Sequence, residues 1–316
     1  MRRLLFAFVL AAVPAVAPAA DPPKDFFFQP KERILFIGDS ITEQYQYSSD
    51  IELYLTSRFP KANFLFLNAG ISGDTANGGA GRFQAHVLDE KPNAITINFG
   101  MNDGGYGGFD PNKNKTYREK TTAMLDAARK AGVRVALISP NAVDKRTKPG
   151  LATYFETQKQ FYAPLKEIAE KDGSPFVDQY AVTRSLIEKL ATEDPMAKKA
   201  NPFPDGVHTN GQGGLLMAHT ILVGLKAPAL VSDATIDAKA GTADTKQCSV
   251  EKIVANPSGV SFERLDEALP IPVQKDWLPI LPYVNELKDL NWYGLKVAGL
   301  ADGNYSVKID GTEVGK

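Results

Sequence analysis

The chain has 316 residues, of which 43% are hydrophobic, 23% charged and 9% aromatic, and its formal net charge is −1. This composition provides enough apolar residues for a full-sized core and excludes a disordered chain. A charge near zero argues against a nucleic-acid-binding protein, which needs a basic face. The single cysteine, Cys248, excludes an intrachain disulfide framework and a cysteine-based zinc cluster. Any reaction that needs an imidazole has three candidates, His86, His208 and His219.

Residues 1–19 predict a secretory signal peptide. Two arginines precede an apolar stretch at residues 4–13, and residues 17–19 form a small-residue cleavage site. The apolar stretch is too short for a transmembrane helix, which needs about 20 residues. No later segment approaches that length, so we expect a secreted or periplasmic protein without a membrane span.

Residues 30–228 alternate between patterns typical of buried strands and of helices. The apolar runs that predict strands lie at residues 34–37, 64–67, 94–99, 133–138 and 175–177. The predicted helices cover residues 50–59, 116–131, 154–171 and 213–225. Strands that alternate with helices imply parallel β-α units with right-handed crossovers. The sequence therefore predicts an α/β domain, a three-layer α/β/α sandwich with a five-stranded parallel sheet.

Residues 229–316 differ in character and predict a small β-rich C-terminal region. Pro, Asp, Thr and Val dominate there, with strand patterns at residues 293–297 and 304–309 and a hairpin turn at Asp310-Gly311. The chain stops at Lys316, just after this turn, and such an abrupt end to a sheet suggests truncation.

Three polar, glycine-rich turns follow the first three predicted strands. They read GDSIT at residues 38–42, NAGISGDT at residues 68–75 and GMND at residues 100–103. In an open parallel sheet ligands bind at the carboxyl ends of the strands, so we expect these turns to lie at one edge. Small residues there let a ligand approach the backbone closely.

A fourth segment, PDGVH at residues 204–208, precedes the last helix of the domain. Asp205 and His208 are three residues apart in a loop, so the carboxylate can accept a hydrogen bond from Nδ1–H and leave Nε2 free to take a proton. A serine nucleophile such as Ser40 needs such a base. The backbone N–H groups of Ser40 and Gly73 and the side-chain amide of Asn102 would supply three donors for an oxyanion.

Other interpretations of these segments are weaker. Asp39, Asp74 and Asp103 share the sheet edge and resemble a hard-cation site, but a metal would leave the serine and the Asp-x-x-His pair unexplained. The GGYGG stretch at residues 104–108 suggests phosphate binding but lacks the Lys and Ser/Thr of a P-loop. The sequence contains neither G-x-G-x-x-G nor G-x-S-x-G. His86 and His219 are predicted to be packing or surface residues.

Taken together and in this order, the four segments resemble the blocks of the SGNH (GDSL-type) hydrolases over about residues 33–225. The resemblance implies a flavodoxin-like fold and ester hydrolysis without a metal or organic cofactor. It also implies that Ser40 is the nucleophile, His208 the base and Asp205 the residue that orients it, with Ser40, Gly73 and Asn102 forming the oxyanion hole. Ile41 stands where many members have Leu, at an apolar packing position.

The sequence thus favours a secreted serine esterase that acts on small acyl esters, notably acetyl esters of carbohydrates such as polysaccharides. Export, polar active-edge loops and the lack of a long apolar lid in the sequence support this choice. Two alternatives stay open. One is a lipid ester or thioester hydrolase of lysophospholipase type, and the other is a non-catalytic carbohydrate-binding protein of the cell envelope. In the latter, Trp277, Trp292 and Tyr293 would stack on sugars, although the complete Ser–Asp–His set argues against it.

Overall fold

The computed structural model describes residues 20–315, so the predicted signal peptide at residues 1–19 lies outside the described residues. The strands are β1 (Arg33–Gly38), β2 (Leu65–Gly70), β3 (Ala94–Asn98), β4 (Arg134–Ile138), β5 (Phe176–Val177), β6 (Leu230–Asp237), β7 (Thr242–Lys246), β8 (Cys248–Asn256), β9 (Gly259–Asp266), β10 (Trp292–Ala298), β11 (Val307–Ile309) and β12 (Thr312–Gly315). The helices are α1 (Ser40–Glu43), α2 (Gln46–Arg58), α3 (Ala76–His86), α4 (Pro111–Lys130), α5 (Ala152–Tyr162), α6 (Pro164–Asp172), α7 (Gln179–Glu193), α8 (Gly211–Gly224) and α9 (Glu286–Asp289). Short 3-10 helices cover Leu88–Glu90, Pro149–Leu151, Lys275–Trp277 and Leu281–Tyr283.

Strands β1 to β5 form one parallel sheet in the order β2-β1-β3-β4-β5. Ile34 in β1, the second strand in this order, is in register with Phe66 on one side and with Ala94 on the other. Strands β1 and β3 are almost entirely buried, as expected of strands covered on both faces. The predicted five-stranded parallel sheet is therefore confirmed. The strand order reverses between β1 and β3, and ligands bind at the carboxyl ends of the strands at such a point.

The predicted helix over residues 154–171 is in fact two helices, α5 and α6. Pro164 occupies the first position of α6, where its missing N–H costs nothing, whereas inside a continuous helix it would remove a hydrogen bond. Helix α7 is absent from the predicted helices. Asp178 begins it by accepting a hydrogen bond from the N–H of Ala181, and Leu186, Ile187 and Leu190 form its buried side.

The chain divides into two compact units, and the division differs from the predicted boundary between residues 228 and 229. The larger unit contains residues 21–231 together with residues 268–293, and the smaller one contains residues 232–267 and the stretch from residue 294 onward. The reason for the difference is burial, since Trp277, Ile280 and Leu290 are at most 1% exposed and belong to the core of the larger unit. Burial of such side chains stabilises the segment by about 2 kcal/mol each.

The buried side chain of Arg58 joins α2 to this segment and to the residues around the start of β6. Its guanidinium donates hydrogen bonds to the carbonyls of Pro228 (3.1 Å), Leu230 (2.7 Å) and Leu290 (2.5 Å). Several backbone carbonyls in one place suit the planar, five-donor guanidinium group. The larger unit therefore includes a segment that is remote in sequence from its other residues.

The smaller unit contains antiparallel pairs, β6 with β7, β8 with β9 and β11 with β12. Ala234, Ile236 and the buried free Cys248 form its core, and burial raises the pKa of the Cys248 thiol. The predicted turn joins β11 to β12, with positive φ angles of 47° at Asp310 and 81° at Gly311. The predicted β-rich C-terminal structure is thus confirmed.

Candidate active site

Ser40 is the first residue of the short helix α1, and only Asp39 separates it from the end of strand β1. Asp39 caps this helix and accepts a hydrogen bond from the N–H of Ile41 at 3.0 Å. Burial raises the pKa of Asp39 to about 7, although the hydrogen bond from Ile41 and the proximity of His208 oppose the rise. The cap fixes the turn that presents Ser40 at the carboxyl end of β1.

Ser40, Asp205 and His208 meet in one hydrogen-bonded chain. Nε2 of His208 lies 2.9 Å from Oγ of Ser40, and Nδ1 of His208 lies 2.7 Å from Oδ2 of Asp205. An ionised carboxylate only accepts hydrogen bonds, so it selects the tautomer with the proton on Nδ1. Nε2 is then the acceptor for the Ser40 hydroxyl. The structure brings together the three residues that the sequence analysis names.

The Asp205 carboxylate is about half exposed and also supports the loop that carries it. Its Oδ1 accepts hydrogen bonds from the N–H of Val207 at 2.9 Å and of His208 at 2.8 Å. Partial burial raises the pKa of Asp205, but the hydrogen bonds from the His208 ring and from these two N–H groups outweigh it. The net pKa therefore lies below the usual value. Asp205 is therefore ionised at neutral pH, and its carboxylate is available as the negatively charged partner of the imidazole.

The loop that follows β4 holds the Asp205–His208 loop in place. Nδ2 of the buried Asn141 donates to the carbonyl of Val207 at 3.2 Å, and the N–H of Asp144 donates to the carbonyl of Gly206 at 2.8 Å. Sequence reasoning missed these residues. The only indication of their role in the sequence is that Asn141 and Asp144 follow the carboxyl end of β4, a strand of the same sheet.

Three N–H groups, those of the Ser40 and Gly73 backbone and one of the Asn102 side chain, can donate hydrogen bonds to a ligand. In the part of the chain that the structure describes, the backbone N–H groups of Ser40 and Gly73 donate to no protein acceptor. Nδ2 of Asn102 donates one hydrogen bond to the carbonyl of Asp74 at 2.9 Å, which leaves its second N–H free for a ligand. Asp74 follows Gly73, so the carboxamide of Asn102 is attached to the turn that contains Gly73.

Each carboxylate of the suggested cation site has another structural partner. Asp74 pairs with Arg82 at 2.8 Å, and Oδ1 of Asp103 accepts a hydrogen bond from the N–H of Ala76 at 3.0 Å. Burial raises the pKa of Asp103 to about 7, and the neighbouring charges of Asp39 and Asp74 add to the rise, while the bond from Ala76 opposes it. Among residues 20–315, no group of three or more His, Cys, Asp and Glu side chains has an arrangement that could hold a metal ion. These carboxylates connect the loops of the site to one another.

The remaining residues singled out by sequence lie elsewhere. His86 is exposed at the end of α3, and Nε2 of His219 lies 3.1 Å from Oδ2 of Asp289. Burial lowers the pKa of His219, and the bond to Asp289 opposes that effect. Trp277 is 1% exposed and therefore cannot stack on a sugar, which corrects that part of the carbohydrate-binding hypothesis.

Tyr106, which sequence reasoning missed, donates a hydrogen bond from Oη to Oδ1 of Asn102 at 2.8 Å.

Comparison with known proteins identifies a matching family and related esterases. The model of the GDSL-like Lipase/Acylhydrolase family matches residues 36–214. An acetylxylan esterase of Geobacillus stearothermophilus is 26% identical over 212 residues, which is 60% of this chain and 92% of that protein. Esterase TesA of Pseudomonas aeruginosa is 31% identical over 142 residues, which is 44% of this chain and 64% of that protein.

Solved structures share the fold. A gut microbial diltiazem-metabolizing enzyme superimposes with a TM-score of 0.77 at 24% identity, covering 94% of this chain and 71% of that one. The acetylxylan esterase Axe2 of Geobacillus stearothermophilus superimposes with a TM-score of 0.52 at 24% identity, covering 62% of this chain and 95% of that one.

The fold and the Ser–His–Asp geometry are those of a serine hydrolase with a doubly wound sheet. The chain belongs to the GDSL-like lipase/acylhydrolase (SGNH) family and is a carboxylic ester hydrolase. The hypothesis of a non-catalytic carbohydrate-binding protein is therefore set aside. None of the described helices is long and apolar enough to span a membrane.

Proposed function

We propose that the chain hydrolyses esters through an acyl-enzyme on Ser40, with His208 as the general base and Asp205 as the residue that orients it. One observation carries this proposal, the chain of hydrogen bonds from Oδ2 of Asp205 through His208 to Oγ of Ser40, with distances of 2.7 and 2.9 Å. The 2.9 Å distance between Nε2 and Oγ falls in the range required for proton transfer from a nucleophile to its base, and the 2.7 Å distance is that of a hydrogen bond that orients the imidazole.

The reaction has two stages. Oγ of Ser40 attacks the ester carbonyl while Nε2 of His208 takes its proton, and the carbonyl oxygen becomes an oxyanion. The bond to the alcohol oxygen then breaks, and the imidazolium returns the proton to the leaving alcohol. A water molecule, deprotonated by His208, then attacks the acyl carbon. The bond to Oγ of Ser40 breaks, the imidazolium returns its proton to Oγ, and the acid is released. Asp205 stabilises the imidazolium that forms in each stage.

The oxyanion is stabilised by the N–H groups of Ser40 and Gly73 and by the second N–H of Asn102. These donors are fixed before the substrate arrives, so no free energy is spent on orienting them as charge develops. The backbone N–H of Gly73 is oriented by a φ angle of 77°, which glycine adopts without the strain that a side chain would cause.

We infer that the substrates are small acyl esters, in particular acetyl esters of carbohydrates, handled outside the cytoplasm. The predicted signal peptide supports export to the periplasm or the medium. The glycine-rich, polar turns at the sheet edge suit a hydrophilic substrate. The similarity to an acetylxylan esterase extends over 92% of that relative's length.

A panel of nitrophenyl esters of increasing acyl length, measured together with acetylated xylo-oligosaccharides, tests this assignment. We expect a sharp optimum in kcat/KM at the acetyl ester and release of acetate from the oligosaccharides. A medium-chain optimum without acetate release would overturn it and favour a lipid ester or thioester hydrolase, the second candidate, which the similarity to esterase TesA supports. The Ser40→Ala variant serves as the blank for each substrate.

A further inference from the structure

We propose that Tyr106 is a positioning residue that holds the side-chain amide of Asn102 in the orientation needed to bind the oxyanion. This inference rests on the proposed function of Asn102 as an oxyanion-hole donor. It explains the GGYGG stretch at residues 104–108, which the catalytic chain of Ser40, His208 and Asp205 leaves unused.

The two ends of the Asn102 amide have different partners. Oη of Tyr106 donates to Oδ1 at 2.8 Å, and Nδ2 donates to the carbonyl of Asp74 at 2.9 Å. A carboxamide rotates about a broad, roughly two-fold torsion, so a single contact leaves it free to tilt. The hydroxyl holds the oxygen end while the carbonyl holds the nitrogen end. The remaining N–H is thereby fixed in direction.

The backbone at Tyr106 is strained in the way that functional positions often are. Its φ angle is 57°, in the left-handed region that costs a residue with a side chain about 1–2 kcal/mol. Such a conformation persists only where the surroundings enforce it. Gly105 precedes it with a φ angle of 69°, and Oγ1 of Thr157 donates to the carbonyl of Gly107 at 2.9 Å, so the loop is fixed on both sides of the tyrosine.

The Tyr106 ring is held from the side as well. It packs edge-on against Tyr154 with a ring-centroid distance of 5.4 Å, and Oη of Tyr154 donates to the carbonyl of Met101 at 3.0 Å. Tyr154 thus connects the ring of Tyr106 to the residue that precedes Asn102. Burial raises the pKa of Tyr106 to about 12, with the charges of Asp39 and Asp205 contributing, so the phenol keeps its proton and remains a donor at every working pH.

A double-mutant cycle between Tyr106 and Asn102 tests the proposal. Tyr106→Phe removes the hydroxyl and retains the ring contact with Tyr154. We expect kcat for acetyl ester hydrolysis to fall roughly three- to tenfold, the size of one neutral hydrogen bond, with KM changed less than about twofold. Asn102→Ala should lower kcat by about a hundredfold or more, and Tyr106→Phe should cause no further loss in that variant.

Tyr305→Phe is the matched control. It also removes one phenolic hydrogen bond, to the carbonyl of Ala301 at 2.8 Å, but in the smaller unit, and it should leave kcat unchanged. The proposal is overturned if Tyr106→Phe lowers kcat equally with and without Asn102, because the hydroxyl would then act independently of the amide. It is also overturned if the loss lies in KM alone, which would make Tyr106 a substrate contact.

A crystal structure of the Tyr106→Phe variant separates this inference from the proposed function. We expect the amide of Asn102 to rotate away from the carbonyl of Asp74 or to occupy more than one orientation. An amide that stays in place contradicts the positioning role whatever the activity. If Ser40→Ala keeps full activity, the proposed function fails, and the crystallographic result still decides whether Tyr106 orients Asn102.

Discussion

Oγ of Ser40 and Nε2 of His208 are 2.9 Å apart although 168 positions separate the two residues in the chain. Ser40 follows the first strand of the parallel sheet, and His208 precedes α8, the last helix before the C-terminal region. Their contact forms only when the whole sheet and the helices between them are in place. Esterase activity is therefore a sensitive report of the folding of the larger unit.

Asp205→Ala tests how much the orienting carboxylate contributes. His208→Ala removes the base itself, and we expect it to lower kcat/KM by about ten thousandfold. The loss of kcat/KM in Asp205→Ala should be about tenfold smaller than in His208→Ala, because the Asp205 side chain is 54% exposed and water can partly replace it. Steady-state kinetics on nitrophenyl acetate measures both. Equal losses in the two variants would contradict a purely orienting role.

Gly73→Ala tests the backbone donor in the turn after β2. Gly73 has a φ angle of 77°, and a Cβ there would meet no atom within 4 Å, so the cost is backbone strain of about 1–2 kcal/mol. We expect a fall in kcat as the N–H reorients. Gly132→Ala is the matched control, with a φ angle of 71° and equally open space beside the end of α4. If both variants lose the same stability and neither loses activity, the Gly73 N–H has no catalytic part.

Trp277→Ala tests whether residues 268–293 are part of the larger unit. Trp277 is 1% exposed in the core, so its removal should lower the free energy of unfolding by about 3–5 kcal/mol. Trp292→Ala removes the same side chain from a site that is 52% exposed and should cost less than about 1 kcal/mol. Denaturant unfolding measures the two values. Similar small losses would show that the segment does not contribute to this core.

Asp50→Asn tests the effect of a buried carboxyl group on α2. Burial raises the pKa of Asp50 to about 7 from its ordinary 3.8, and the nearby charge of Asp276 adds to the rise. The folded state therefore binds this proton more tightly than the unfolded chain. The associated stability is present below the ordinary pKa and is lost as the pH rises through about 7.

The Asn variant should accordingly be more stable than the wild type above the folded pKa, by on the order of 2–4 kcal/mol, and the gain should shrink as the pH falls. Unfolding curves across this pH range provide the measurement. Asp276→Asn should move the wild-type transition to lower pH because one repelling charge is removed. A gain in Asp50→Asn that does not depend on pH would contradict this account.

Much of the fold and of the candidate site could be predicted from local patterns. The predicted strands are apolar runs, and the first three are followed by polar, glycine-rich turns. Asp205 and His208 are near neighbours, so their spacing alone indicates a hydrogen bond. These features depend on contacts within a few residues or on the shared edge of a parallel sheet.

Other features depend on long-range contacts that no local pattern in the sequence indicates. Trp277 and Ile280 are three residues apart, but Pro279 lies between them and Pro282 follows, and proline disfavours the continuous helix that this spacing would indicate. Nothing local therefore shows that they fill the core of the larger unit. The hydrogen bond from Tyr106 to Asn102 needs two residues in the left-handed region, which the surrounding glycines allow but do not specify. Helix α7 had a local signal, since Asp178 is a good N-cap and Leu186 and Leu190 are four residues apart.

The role of Ser40 as the nucleophile is tested most simply by the hydrolysis of nitrophenyl acetate by the Ser40→Ala variant, with fluorophosphonate labelling measured in parallel. We expect the wild type to turn over the ester and to take up one label, on Ser40. We expect the variant to do neither while unfolding at the same temperature as the wild type. Full activity in Ser40→Ala, or a label on another residue that abolishes hydrolysis, would contradict the assignment of Ser40 as the nucleophile.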